Sequence, residues 1–258
     1  MLGKLLKYEF KSTARILIPL YIAMILYSGV CRGFAELSKK LDILSTPAAL
    51  MYGFYVILVI AVVVVTFAVV IQRFYKNLMG DEGYLMFTLP VETYKHIITK
   101  SLTAFVWTIS SVIVALISIV ILIVNSEIIE EIKFLLTQLP PDMIQTTVYS
   151  LILAVFAVIS GIFMIYTAIS IGQLVSGHKM VGSIVGYFGL YVVNQIIMTI
   201  VLVIFGYANK TTIFNDSVTV TGGMVLPLLI ILSAVYLILS CVYFFVTEYI
   251  FKHKLNLE

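Results

Sequence analysis

Hydrophobic and polar positions fall along this chain in long blocks rather than in short alternation. Residues 16–31, 48–71, 97–124, 146–175, 180–206 and 224–247 form six apolar stretches with charges confined to their ends. A lipid-exposed backbone must satisfy its own hydrogen bonds, and a helix of about 20 residues does so across a hydrocarbon core of about 30 Å. The pattern therefore predicts an all-α polytopic membrane protein with six transmembrane helices, forming one membrane domain over 1–258. The stretch 146–175 is long, and Gly161 marks a place for a tilt or break.

Two shorter segments have helical period without the length to span. In residues 1–15, Lys4, Lys7, Lys11 and Arg15 share one face at 100° per residue, while Leu2, Leu5, Leu6 and Thr13 lie opposite. That pattern predicts an N-terminal interfacial amphipathic helix that bends into the first span. Glu9 projects from its apolar side, which suits either a water-exposed acid at the headgroup level or a contact to a partner. Between spans 3 and 4, Glu127, Glu130 and Glu131 face away from Ile128, Ile132, Leu135, Leu136 and Leu139, and Pro140 with Pro141 ends the run. This predicts a second, outer amphipathic helix, lying flat on the membrane or roofing a cavity.

Composition narrows the class. Hydrophobic residues make up 62% and charged residues 11% of the 258, against about 25% charged in a typical soluble domain. Six spans and their loops use up the chain and leave no room for a separate soluble catalytic domain. Net charge is only +3 and the basic residues are scattered, which argues against nucleic acid as a partner. With both termini inside, eleven Lys and Arg fall in inner segments and five in outer ones, so the positive-inside rule favours cytoplasmic termini. Lys4, Lys7, Lys11 and Arg15 are spread through a helical stretch, unlike the start of a cleavable signal peptide. Cys31 and Cys241 lie toward opposite membrane faces in that topology, which opposes a disulfide.

Catalytic chemistry has little foothold. The only Gly-Lys pair, Gly3-Lys4, lacks the preceding glycine of a phosphate-binding loop, and no H-E-x-x-H occurs. The expectation is no enzyme, no metal and no cofactor in this chain. Within the spans, the notable polar residues are Asn194 and Gln195, which follow Gly182, Gly186 and Gly189 on the fifth span. Small residues let helices approach closely, and amides bond across them, so these five suit helix packing, a substrate pathway or a dimer seam. Ser110, Ser111 and Ser118 on the third span and Ser160, Tyr166 and Thr167 on the fourth admit the same readings.

The inner loop 72–96 is the most distinctive sequence, reading QRFYKNLMGDEGYLMFTLPVETYKH. Tyr84, Leu85, Phe87 and Leu89 beside Asp81 and Glu82 are what a docking surface needs, since apolar anchors give affinity and flanking charges give register. Together with the N-terminal LLKYEFKSTAR and the C-terminal EYIFKHKLNLE, the segment GDEGYLMFTLPVETYKHIITKSL resembles the permease subunits of bacterial ABC-2 type exporters. That resemblance implies a bacterial plasma membrane location, a second permease subunit, and separate ABC ATPase subunits that hold the ATP and Mg. It implies an ATPase-coupling role for Asp81, Glu82, Tyr84 and Leu85, and a linking role for Lys7, Tyr8, Glu9 and Lys11. In one respect the chain departs from it: many such exporters carry re-entrant apolar helices between spans 5 and 6, whereas residues 207–223 are short and polar. The alternative is an antimicrobial-sensing or resistance membrane module that signals to a partner without net transport. A secondary transporter is opposed by the uncharged span interiors.

Overall fold

The computed structural model describes residues 2–79, 92–138, 140–175, 178–208 and 222–253. These form seven α-helices: α1 (Leu2–Ser38), α2 (Ser45–Met79), α3 (Thr93–Ile123), α4 (Ser126–Gln138), α5 (Pro141–Gly172), α6 (Lys179–Ala208) and α7 (Gly222–His253). A 3-10 turn, Asp42–Leu44, joins the first two. Every helix except α4 is long and apolar enough to cross a membrane, giving six candidate spans. The protein is an all-α polytopic membrane protein.

The boundaries carry two adjustments to the sequence expectation. The amphipathic N-terminus and the first span are one uninterrupted helix of 37 residues, not two elements with a break near residue 15. Pro19 lies inside it; its missing N–H frees the Arg15 carbonyl, yet the helix continues through both sides. Likewise α5 runs unbroken through Gly161. It starts sharply, because Pro140 occupies the cap in extended conformation and Pro141 the first turn, where a missing donor is harmless. The Asn125 side chain caps α4 by accepting from the Ile128 N–H at 2.9 Å. Ile129, Ile132, Phe134 and Leu135 of α4 are exposed and Ile128 is half-buried, which suits a helix lying against lipid.

The chain divides into two compact units, one comprising residues 1–74 and 95–138, the other residues 75–94 and 139–258. In the first, Leu17, Tyr21 and Met24 of α1 meet Val62 and Val69 of α2 and Trp107 of α3. The buried positions of α1, Thr13, Leu17, Tyr21, Met24, Ser28 and Cys31, recur every three or four residues and so form one seam. In the second unit, Met164 of α5 packs with Leu239 and Tyr243 of α7, flanked by Leu190, Ile197 and Met198 of α6.

Candidate functional site

In the first unit the residues of greatest chemical interest gather around Glu9. Glu9 lies one turn before Thr13 and so near the buried seam of α1; its side chain is 12% exposed. The Lys100 ammonium of α3 donates to Glu9 Oε1 at 2.6 Å and is itself only 4% exposed. Arg73, near the end of α2, places Nη1 3.5 Å from Glu9 Oε2 and donates from Nη2 to Ser12 Oγ at 2.6 Å. Buried His96 lies within electrostatic reach of both Lys100 and Glu9. One carboxylate thus joins three helices.

This arrangement corrects the reading of Glu9 as a water-exposed acid. Its carboxylate is turned inward, and a charge at that depth needs a paired base. Lys100 is the other half of the same correction, because it falls inside the apolar stretch of α3 and is buried. Lys7, Tyr8 and Lys11, grouped with Glu9 by the family resemblance, are on the exposed outer side of α1, with Tyr8 70% exposed. Asp81, Glu82, Tyr84 and Leu85 lie outside the described residues.

Above this cluster the three helices are joined by hydroxyls and aromatic rings. The Tyr21 hydroxyl donates to the Trp107 carbonyl at 3.1 Å and lies 3.3 Å from Thr66 Oγ1. The Trp107 ring is tilted against Tyr21 and Phe10, with centroids 6.1 and 6.3 Å away. Tyr55 of α2 and Ser118 of α3 share a hydrogen bond of 2.7 Å, so Ser118 serves packing. Near the far end of α1, Arg32 donates to the Ile121 carbonyl of α3 at 2.9 Å.

The second unit brings the glycines of α6 against α5. A Cβ on Gly182 would stand 2.9 Å from Val175 Cγ2 and 3.1 Å from the Gly172 carbonyl, and one on Gly186 would stand 3.3 Å from the Ala168 carbonyl. Gly189 has open space instead. Gly182 and Gly186 therefore approach α5 closely, whereas Gly189 meets no neighbour among the described residues. Their tightest counterpart, Gly172, lies on α5: a Cβ there would collide with the Ser183 hydroxyl and backbone nitrogen.

Asn194 and Gln195 separate, as neighbours 100° apart on a helix must. Asn194 is half-buried, and its Oδ1 is enclosed without a hydrogen-bond partner among the described residues; Gln195 is exposed. Thr167 Oγ1 sits 3.0 Å from both the Tyr243 carbonyl and Thr247 Oγ1, bridging α5 to α7.

Sequence reasoning missed Arg73, Lys100 and Gly172. A signal existed for the first two: Glu9 is the sole acid before Glu36, and Lys100 interrupts an apolar run. For Gly172 there was none, because its role depends on where α6 returns. Among the described residues no group of His, Cys, Asp or Glu is arranged to hold a metal, and both cysteines are free. Compared with known proteins, the chain matches no family model, no curated protein and no solved structure.

Proposed function

We propose that this chain is the membrane-spanning permease subunit of an ABC exporter of the bacterial plasma membrane, with cytoplasmic termini. It pairs with a second permease and takes its driving force from separate ATPase subunits that bind ATP and Mg. The observation that carries this reading is the Glu9 cluster. Arg73 and Lys100 stand on the two helices that flank the distinctive 80–91 segment, and both are tied to the N-terminal helix through one carboxylate. A displacement of α2 at Arg73 or of α3 at Lys100 bears on α1 as well, through the one carboxylate they share. The absence of a phosphate-binding loop from the sequence supports a separate energy source.

The test is association. Gentle solubilisation should recover the chain with an ATPase, and nucleotide hydrolysis should belong only to that complex. Reversing Asp81 and Glu82 to Lys should weaken docking by roughly 2–3 kcal/mol, because like charges juxtaposed at an interface cost that much. Recovery of an active transporter from this chain alone would end the proposal.

A further inference from the structure

The outward stripe of α1 changes character once along its length. Lys4, Lys7, Lys11, Arg15, Ile18, Ile22, Leu26 and Val30 follow one another at steps of three and four residues, and so occupy one face of one unbroken helix. All eight are exposed. The last four are large aliphatic residues, between 46% and 65% exposed, on a membrane-spanning helix. A surface of that kind has lipid chains as its solvent. The four residues before them are cations, and none has an acidic partner among the described residues, although Arg73 and Lys100 close by are paired with Glu9. A stripe that faces acyl chains from Ile18 onward meets the headgroups of the same leaflet at Arg15 and Lys11, with Lys7 and Lys4 continuing toward the aqueous side. That basic stretch is about 16 Å long at about 1.5 Å per residue. Tyr8, exposed beside Lys4 and Lys11, is the amphipathic ring that such a level favours.

We propose that Lys4, Lys7, Lys11 and Arg15 form a recognition ridge for anionic phospholipid headgroups, whose phosphates supply the counter-charge that the described residues do not. The occupant is the bilayer rather than an acidic protein surface, because the ridge is continuous with the lipid-facing stripe. This inference stands apart from the exporter reading and survives its failure.

The experiment measures lipid binding to the purified full chain by native mass spectrometry, in detergent micelles doped with phosphatidylglycerol or phosphatidylcholine. The parent protein should retain phosphatidylglycerol preferentially. A K4Q/K7Q/K11Q/R15Q variant should bind it at least roughly tenfold more weakly, as expected for the loss of several cations from a membrane surface. K4R/K7R/K11R, which keeps the charge, should behave like the parent, as should K39Q/K40Q at the other end of α1. If the quadruple variant elutes as aggregate or loses helicity, K11Q alone with a salt titration serves, and its phosphatidylglycerol preference should fall and become less salt-sensitive. An undiminished preference in the Gln variants overturns the proposal. Displacement of the lipid by millimolar inorganic phosphate would reassign the ridge to free phosphate. Amine labelling of the ridge that is blocked only when an ATPase partner is bound, and equally in pure phosphatidylcholine, would assign it to protein.

Discussion

The two units hold their helices by different physics. In the first, α1, α2 and α3 are joined by side chains that reach across: a carboxylate between two cations, a tyrosine on a carbonyl, a tryptophan between two rings. In the second, α5 and α6 are joined by the removal of side chains, with Gly172, Gly182 and Gly186 bringing backbones together. Neither has a hydrophobic drive between helices in the usual sense, since lipid tails are as apolar as leucine. Contacts made by charge are strong but directional, and removing one partner strands the other. Contacts made by closeness have no single strong bond but cannot accept volume.

The comparison breaks most severely at Glu9. Glu9→Gln leaves the Lys100 ammonium facing a neutral amide at 4% exposure, and losing one member of a buried pair costs about 3–5 kcal/mol. Steric-trap or denaturant unfolding in micelles should show that loss. Exchanging the charges, E9K with K100E, should recover part of it, which a purely steric role for Glu9 would not allow. In the second unit, Gly172→Val drives a side chain toward the Ser183 backbone nitrogen. Overpacking of that kind costs about 1–3 kcal/mol, read by the same assay. If Gly172→Val proved harmless, closeness would not be what joins α5 to α6.

Smaller effects sharpen the contrast. Thr167→Val removes the hydroxyl that bridges α5 to α7, and interhelical hydrogen bonds in membranes average about 0.6 kcal/mol. Gly189→Ala should be neutral or slightly stabilising, because the added methyl meets open space and Ala exceeds Gly in helix propensity by up to about 1 kcal/mol. Replacing Asn194 and Gln195 singly by Leu separates two roles that the sequence had joined. Under the exporter reading, the Asn194 change alters transport with assembly intact. The Gln195 change, on the exposed side, acts only if a second subunit covers that face. Transport assays beside size-exclusion profiles distinguish these.

What the sequence revealed followed from length and period. Six apolar runs declared six spans, and the face of α1 that carries Lys4, Lys7 and Lys11 was visible because a helix repeats every 3.6 residues. Breaks were harder to read: an amphipathic stretch followed by an apolar one suggested two elements, yet nothing stops a helix from changing solvent midway. Partners across space were hardest. Glu9 looked displaced because the face it shares with Thr13 is apolar, and the bases that justify its position are 64 and 91 residues away. Gly182 and Gly186 announced a packing surface by their spacing, whereas Gly172 ended its helix without a motif. Asn194 and Gln195 looked like one polar site in the sequence, and a single helical step of 100° assigned them to different surroundings.

Arg32 fastens α1 to α3 at the far end, beyond the Tyr21 hydrogen bond to the Trp107 carbonyl. Its guanidinium takes up the Ile121 carbonyl in the last turn of α3, where no in-helix donor remains. The first fastening is the pair of Glu9 with Lys100. Between these two points α1 advances about 34 Å and α3 about 31 Å at about 1.5 Å per residue, with both chains running the same way. The two helices are bolted at both ends of a length close to the ~30 Å hydrocarbon core. Sliding one past the other would break both end contacts and the Tyr21 bond between them at once, so tilting or swinging of the pair together is favoured over telescoping.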